Sequence, residues 1–147
     1  MAQLYFDHQL IATSESHGIL APNMLTKDFS LVYKANANKY YTIIIHDEND
    51  VHLFLLNVLG NDLTKGDEVV TYMPFETKKY NNDVTVCIYE QPKLIHVDDD
   101  FDLDPFIVNH KLKLRYLIDF TILQKIEKKP NIFSNRVFNQ KLKSYKK

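Results

Sequence analysis

Three long apolar runs separated by polar breaks dominate the middle of the chain. They span residues 40–45, 51–57 and 84–89, and Asp or Asn residues lie close to their ends. Runs of this length that are rich in Ile, Val, Tyr and Phe are typical of strands buried on both faces of a sheet. Residues 48–50 predict a tight turn between the first two runs, so these two strands are expected to pair antiparallel. The centre of the chain is therefore predicted to be the core of a β-sheet.

Weaker patterns on both sides of this core predict further strands. The segments interpreted as strands are 4–6, 10–11, 29–33, 68–73, 111–124 and a short extension at 93–97. Gly18 and Pro22 bound a segment that is predicted to be a loop. The fold class that these patterns predict is mainly β, with an antiparallel β-sheet core and short peripheral helices near the C-terminus.

Two short helices are predicted in the last third of the chain. Asp102 or Asp104 can cap the first, with Pro105 at its first helical position. Ser134 can cap the second, whose apolar residues recur at helical spacing as far as Tyr145. This second helix belongs to a basic segment, 125–147, which is either a surface for a partner or a solvated amphipathic helix packed on the sheet.

The overall composition fits one soluble domain spanning residues 1–147. The chain is 45% hydrophobic and its formal net charge is −1, so its charge balance does not favour nucleic acid or an acidic membrane. No apolar run approaches the roughly 20 residues of a membrane helix. Cys87 is the one cysteine, which excludes a disulfide within the chain and favours a reducing, cytoplasmic compartment. Three glycines beside plentiful Lys, Asn, Ile and Tyr are typical of AT-rich genomes, including those of large DNA viruses and some protists.

An ordered set of short motifs runs through the central strands. In chain order they are His46-Asp47, His52-Leu53-Phe54-Leu55-Leu56-Asn57, Gly60-Asn61, Gly66, Tyr72 and Tyr89-Glu90-Gln91. Gly18-Ile19-Leu20-Ala21-Pro22 stands upstream of them, and Phe101-Asp102-Leu103 stands downstream. In kind, order and spacing these residues resemble the phosphatidylethanolamine-binding proteins (PEBP), the family that includes Raf kinase inhibitor protein. The resemblance extends from Gly18 to Phe120 and implies the PEBP fold.

The resemblance also implies a small anion-binding pocket at one end of the sheet. In the family, this pocket is lined by the acids of an Asp-Pro-Asp-x-Pro motif, by paired histidines and by a Gly-x-His-Arg motif. The residues that the resemblance assigns to a ligand site in this chain are Asp47, Asn49, His52, Tyr72 and Asn82. Asp47 matches the first acid of the motif, and His52 matches the second of the paired histidines. Asn49 stands where the second acid would be.

Several departures from the family pattern concern this pocket. Glu48 replaces the first proline, Asn82 and Asp83 replace the His-Arg pair, and the loop 72–82 contains no glycine. Anions are bound through donors, so the loss of donor side chains weakens such a site. At a separation of about 4 Å and an effective dielectric near 20, each added negative charge opposes an anion by a few kcal/mol. Micromolar binding is worth only about 8 kcal/mol.

The sequence therefore predicts a non-catalytic, PEBP-like binding or regulatory module with a degenerate ligand pocket and no cofactor. It is expected to act through an unknown protein partner. One alternative is a binder of phospholipid head groups or other phosphorylated small ligands, with Lys78 and Lys79 supplying the missing charge. A second alternative is a metal-dependent hydrolase in which His46, Asp47 and His52 hold a divalent ion. A hydrogen-bonded polar turn explains the same three residues without a metal.

Overall fold

The computed structural model describes residues 1–25, 27–96 and 102–125. Its strands are β1 (Gln3–Phe6), β2 (Gln9–Thr13), β3 (Gly18–Leu20), β4 (Phe29–Val32), β5 (Tyr40–His46), β6 (Val51–Leu59), β7 (Asp67–Val70), β8 (Asn82–Gln91) and β9 (Lys113–Ile122). Within the described residues, one α-helix, α1 (Leu103–Asn109), precedes β9, and 3-10 turns span Pro22–Met24 and Leu63–Lys65. The prediction of a mainly β chain is confirmed.

The strands are arranged in two sheets. A large sheet has the order β3-β9-β8-β5-β6-β7, and a small sheet has the order β2-β1-β4. All neighbouring strands are antiparallel except β3 and β9, which run parallel. The predicted antiparallel core is therefore present, with one parallel pair at its edge.

The three apolar runs form the middle of the large sheet, as predicted. Strand β5 pairs with β6 on one side and with β8 on the other. Ile43, Ile44 and Ile45 are at most 1% exposed, because successive side chains point to opposite faces of the sheet and both faces are covered. Burial of one such side chain is worth about 1.5–3 kcal/mol, so this apolar run stabilises the pairing of the central strands.

Different layers cover the two faces of the large sheet. The small sheet packs on one face, where the ring of Phe6 lies 6.3 Å from the ring of Phe120. Helix α1 covers the other face, where the rings of Phe106 and Phe54 are 5.7 Å apart. Cys87 is buried in this second cluster, and burial raises the pKa of its thiol. A thiol of this kind suits packing better than nucleophilic chemistry.

Some local predictions are wrong. Residues 18–20 form β3 instead of a loop, because Gly18 lets the chain pass so close to β2 that a Cβ there would lie 2.2 Å from the carbonyl oxygen of Ile11. Pro105 is the third residue of α1 instead of the first. Asp102, one of the two predicted caps, does hold the N-cap position, but its side chain makes no capping hydrogen bond. The strand predicted to reach residue 73 ends at Val70, and residues 93–96 form no strand.

Two further predictions concern the closing helix and membrane-spanning helices. The closing helix after Ser134 and all of the basic segment except Lys125 lie outside the described residues. Among the helices that the structure does describe, none has the length and apolar character needed to cross a membrane.

Candidate functional site

The turn between β5 and β6 and the start of β8 bring three of the predicted ligand-site residues together. Asp47 follows β5, His52 is the second residue of β6, and Asn82 is the first residue of β8. His52 Nε2 lies 2.8 Å from Asp47 Oδ2, and Asn82 Nδ2 lies 3.0 Å from the same oxygen. The side chains of Asp47 and His52 are only 3% and 6% exposed. We call these three residues the Asp47 cluster; it is a buried polar group at one end of the large sheet.

The carboxylate of Asp47 accepts four hydrogen bonds from the protein itself. Its Oδ1 accepts from the backbone N–H of Asn49 at 2.8 Å and of Asp50 at 2.7 Å, and its Oδ2 accepts from His52 and Asn82. Burial by itself disfavours a charged carboxylate, but these four hydrogen bonds outweigh it and hold the pKa of Asp47 well below its ordinary value. A carboxylate offers about four lone-pair positions, so its acceptor capacity is used up.

Both ring nitrogens of His52 are also engaged within the protein. Nε2 faces the Asp47 carboxylate, and Nδ1 lies 2.9 Å from the carbonyl oxygen of Met73. Each of these oxygens can only accept, so in each contact the facing ring nitrogen is the donor when the hydrogen bond forms. The backbone N–H of Met73 donates in return to the carbonyl oxygen of His52 at 2.7 Å. The ring of Phe75, 4.4 Å away, packs against the imidazole.

The other two predicted ligand-site residues do not present a side chain to this cluster. Asn49 is exposed, and its contribution is the backbone N–H. Tyr72 packs in the layer between the two sheets, where its ring lies 4.8 Å from Phe29 and 6.0 Å from Phe75. Its hydroxyl is buried with no hydrogen-bond partner among the described residues. Burial, with a smaller contribution from Asp28, raises the pKa of Tyr72.

Acidic residues stand in the turn between β5 and β6 and at the start of β8. Glu48 and Asp50 are exposed beside the turn, and Asp83 accepts a hydrogen bond from Thr121 Oγ1 at 2.6 Å. Lys78 and Lys79 line a different cavity of about 530 Å³, whose other lining residues are Thr77, Gln124 and Lys125. None of the residues that line this cavity belongs to the Asp47 cluster, so the two lysines do not restore its missing donors.

The described residues do not provide a set of ligands for the divalent ion of the metal-dependent alternative. Across residues 1–25, 27–96 and 102–125, no three His, Cys, Asp or Glu side chains are grouped so that they could hold a metal ion. His52 has no free ring nitrogen, because both face acceptor oxygens of the protein at hydrogen-bond distance. His46 is turned elsewhere: its Nδ1 lies 3.3 Å from the carbonyl oxygen of Asp47, and its Nε2 lies 4.0 Å from Cys87 Sγ.

A second buried polar network joins two motif residues that the sequence did not assign to any role. Gln91 Oε1 accepts from Thr42 Oγ1 and from the backbone N–H of Asn57, both at 2.8 Å. Gln91 Nε2 donates to Asn57 Oδ1 at 2.8 Å and to the carbonyl oxygen of Lys93 at 3.0 Å. Asn57 also binds the N–H and the carbonyl oxygen of Ile95. The network fixes the segment after β8 against β6, so these motif residues are structural.

The backbone at Asn57 gives a signal that sequence reasoning could have used. Its φ is +57°, in the left-handed region that Asn tolerates better than most residues. An Asn at the end of an apolar strand therefore suggests a local change of backbone direction. The pairing of Asn57 with Gln91, 34 residues away, has no comparable signal in the sequence.

Comparisons with known proteins give a fold and no family. No protein-family model and no curated protein sequence matches the chain. The crystal structure of carboxypeptidase Y inhibitor complexed with the cognate proteinase matches with a TM-score of 0.61 and 13% identity, over 84% of this chain and 83% of that chain. The CG7054 solution structure matches with a TM-score of 0.64 and 12% identity, over 85% and 84%. At this level of identity the likeness shows the fold alone, and the chain has the PEBP-like fold of carboxypeptidase Y inhibitor.

Proposed function

We propose that this chain is a non-catalytic binding module that acts through contacts with a protein partner and whose anion pocket no longer takes a ligand. One observation carries the proposal. The Asp47 carboxylate and both ring nitrogens of His52 are buried and fully engaged with one another and with the backbone. A group of this kind stabilises the fold and offers no unused donor to a negative guest.

An anion at the Asp47 cluster would have to displace hydrogen bonds that are already formed. To bind it, His52 would have to give up a hydrogen bond to Asp47 or to the carbonyl of Met73. Hydrogen bonds to charged groups are worth about 1.5–3 kcal/mol each, and the Asp47 carboxylate left behind would repel the guest. Together these terms take a large part of the 8 kcal/mol or so that micromolar affinity requires.

The shared fold supports a protein partner. Carboxypeptidase Y inhibitor is a proteinase inhibitor and its structure holds the cognate proteinase, so this fold can bind another protein through its surface. A proteinase is therefore the first class of partner to test. Fold alone does not carry function from one protein to another, so the test has to be made on this chain.

Calorimetry tests the closed pocket. The purified chain is titrated with phosphoethanolamine and with nucleotides, alongside His52→Ala and the matched control His96→Ala, which changes an exposed histidine. We expect no binding that depends on His52. Micromolar binding that is lost in His52→Ala and kept in His96→Ala would refute the proposal.

A kinetic assay tests the protein partner. Increasing amounts of the chain are added to carboxypeptidase Y, and peptide hydrolysis is followed with and without excess phosphoethanolamine. We expect saturable inhibition that phosphoethanolamine does not relieve, because the contact lies on the protein surface. Absence of both inhibition and a complex by size-exclusion chromatography would remove this proteinase as the partner, and relief by phosphoethanolamine would contradict a closed pocket.

A further inference from the structure

A cationic groove lies at the end of the large sheet opposite the Asp47 cluster. It has a volume of about 570 Å³, and its lining residues are Asn38, Lys39, Tyr40, Glu90, Gln91, Pro92, Lys93, Lys111, Lys113 and Arg115. Tyr40 begins β5 and pairs with Gln91, whereas His46 ends β5 beside the cluster. Seven strand residues separate the two sites, which corresponds to about 20 Å. We call this site the basic groove.

The basic groove has an excess of positive charge. Five of its lining side chains are cationic and one, Glu90, is acidic, although the whole chain has a formal net charge of −1. Glu90 is held by two of the cations: Lys39 Nζ lies 2.9 Å from its Oε1, and Arg115 contacts its Oε2 through Nε and Nη2. Lys39, and to a smaller extent Arg115, lower the pKa of Glu90. This carboxylate is therefore ionised and already paired with cations that line the groove.

Three lysines remain for a ligand. Lys93, Lys111 and Lys113 line the groove, and each has no ion-pair partner within the described part of the chain. Lys93 lies in the segment after β8, and Lys111 and Lys113, two residues apart, lie at the turn after α1 and the start of β9. The pairing of β8 with β9 therefore brings two separate basic segments to one groove.

The backbone at Lys111 ends helix α1 and turns the chain toward the groove wall. Its φ is +53°, at the position after a helix where glycine is the usual residue. The N–H of Leu112 donates to the carbonyl of Ile107, and the N–H of Lys111 donates to the carbonyl of Val108, as in a glycine-ended helix. The residue at this turn is a lysine, and it lines the groove.

We infer that the basic groove binds a small molecule that carries a chain of two or more phosphate groups. Lysine ammonium groups are point charges suited to phosphate oxygens, and three of them around one groove match a ligand with several adjacent negative charges. The volume falls in the range of about 300–1,000 Å³ typical of small-molecule sites. A single phosphate would engage only part of this charge. The site is separate from the pocket implied by the motifs, and its function does not depend on the proposed function.

Calorimetry at low salt on the full chain tests this inference, with inorganic tripolyphosphate, ATP and orthophosphate as probes. The variant Lys93→Gln/Lys113→Gln removes two charges from the groove. The control Lys78→Gln/Lys79→Gln removes two charges from the other end of the sheet. Lys79, Lys93 and Lys113 are exposed and Lys78 is half-buried, and thermal unfolding of each variant verifies that it is folded. Both variants keep residues 126–147, so a difference between them reports on the groove.

We expect tripolyphosphate and ATP to bind the wild-type chain at one site, with orthophosphate at least about tenfold weaker. The loss of two charge-assisted contacts should weaken tripolyphosphate binding by about tenfold or more in the groove variant and leave the control unchanged. Added salt should weaken binding in the wild-type chain. The inference is overturned if the wild type shows no saturable binding, if orthophosphate binds as well as tripolyphosphate, or if the groove variant loses no more affinity than the control.

Discussion

Replacement of Asp47 by asparagine separates a structural role from a ligand-binding role. The side chains have the same shape, but Asn has one acceptor oxygen where Asp has two. In the wild-type chain, one oxygen accepts from two backbone N–H groups and the other accepts from His52 and Asn82. Whichever way the amide is turned, its NH₂ faces two donors. Two of the four hydrogen bonds to a carboxylate oxygen are therefore lost, and His52 no longer faces a carboxylate.

The expected loss of stability follows from burial. The side chains of Asp47 and His52 are 3% and 6% exposed, so water cannot replace the missing partner. Removal of one member of a buried ion pair costs about 3–5 kcal/mol. For a chain of this size, each kcal/mol lowers the melting temperature by about 2–4 °C, which gives a decrease of roughly 10 °C in Asp47→Asn. The matched control is Glu48→Gln, which removes the same charge from an exposed neighbour and should stay within about 0.5 kcal/mol of wild type.

Urea denaturation at several pH values measures both the size and the sign of this effect. The pKa of Asp47 is lowered in the folded state, so its contribution is fully present above its unfolded pKa of about 3.9. It is lost as the pH falls through the folded value. The gap between wild type and Asp47→Asn should therefore be full at neutral pH and should narrow below about pH 4. A gap under about 1 kcal/mol at neutral pH, or one that widens in acid, would refute a structural role for the cluster.

Three further substitutions test the rest of the account. Tyr72→Phe should leave the free energy of unfolding unchanged or raise it by up to about 1 kcal/mol, because the hydroxyl is buried without a partner; a clear loss in thermal denaturation would show that the hydroxyl is bonded. Gln91→Leu should cost about 3 kcal/mol or more, because it leaves Thr42 and Asn57 with unpaired polar groups; the exposed Gln124→Leu is the control, and equal effects in urea denaturation would contradict this reasoning. Lys111→Gly should raise the free energy of unfolding by about 1 kcal/mol through relief of the positive φ; a decrease on calorimetric melting would contradict it.

The centre of the fold could be predicted from the sequence because periodicity and burial act locally. The runs that became β5, β6 and β8 are long and apolar, and the turn at 48–50 leaves antiparallel pairing as the simple connection. The strand β3 was missed for a different reason. Its three residues include a glycine and precede Pro22, which is a loop signal, and their pairing with β9 depends on residues 100 positions away.

The sequence indicated only some of the residues that meet beside the turn between β5 and β6, and it did not indicate their arrangement. The motif resemblance selected Asp47, His52 and Asn82, which do meet in the folded chain. It also selected Tyr72, which does not join the cluster. The position of a tyrosine in the sequence does not indicate which layer of the fold its ring enters. The basic groove was not predicted: Lys111 and Lys113 are two residues apart in the sequence, but Lys93 joins them only when β8 and β9 pair.

The response of the His52 ring to a phosphorylated guest tests the central claim most directly. Nitrogen-15 NMR of the imidazole, followed during a titration of the intact protein with phosphoethanolamine, reports whether the ring senses a guest. Because both ring nitrogens already face acceptor oxygens of the protein, the account predicts that their signals do not move as phosphoethanolamine is added. A saturable shift of these signals would show an open anion site and would contradict the account.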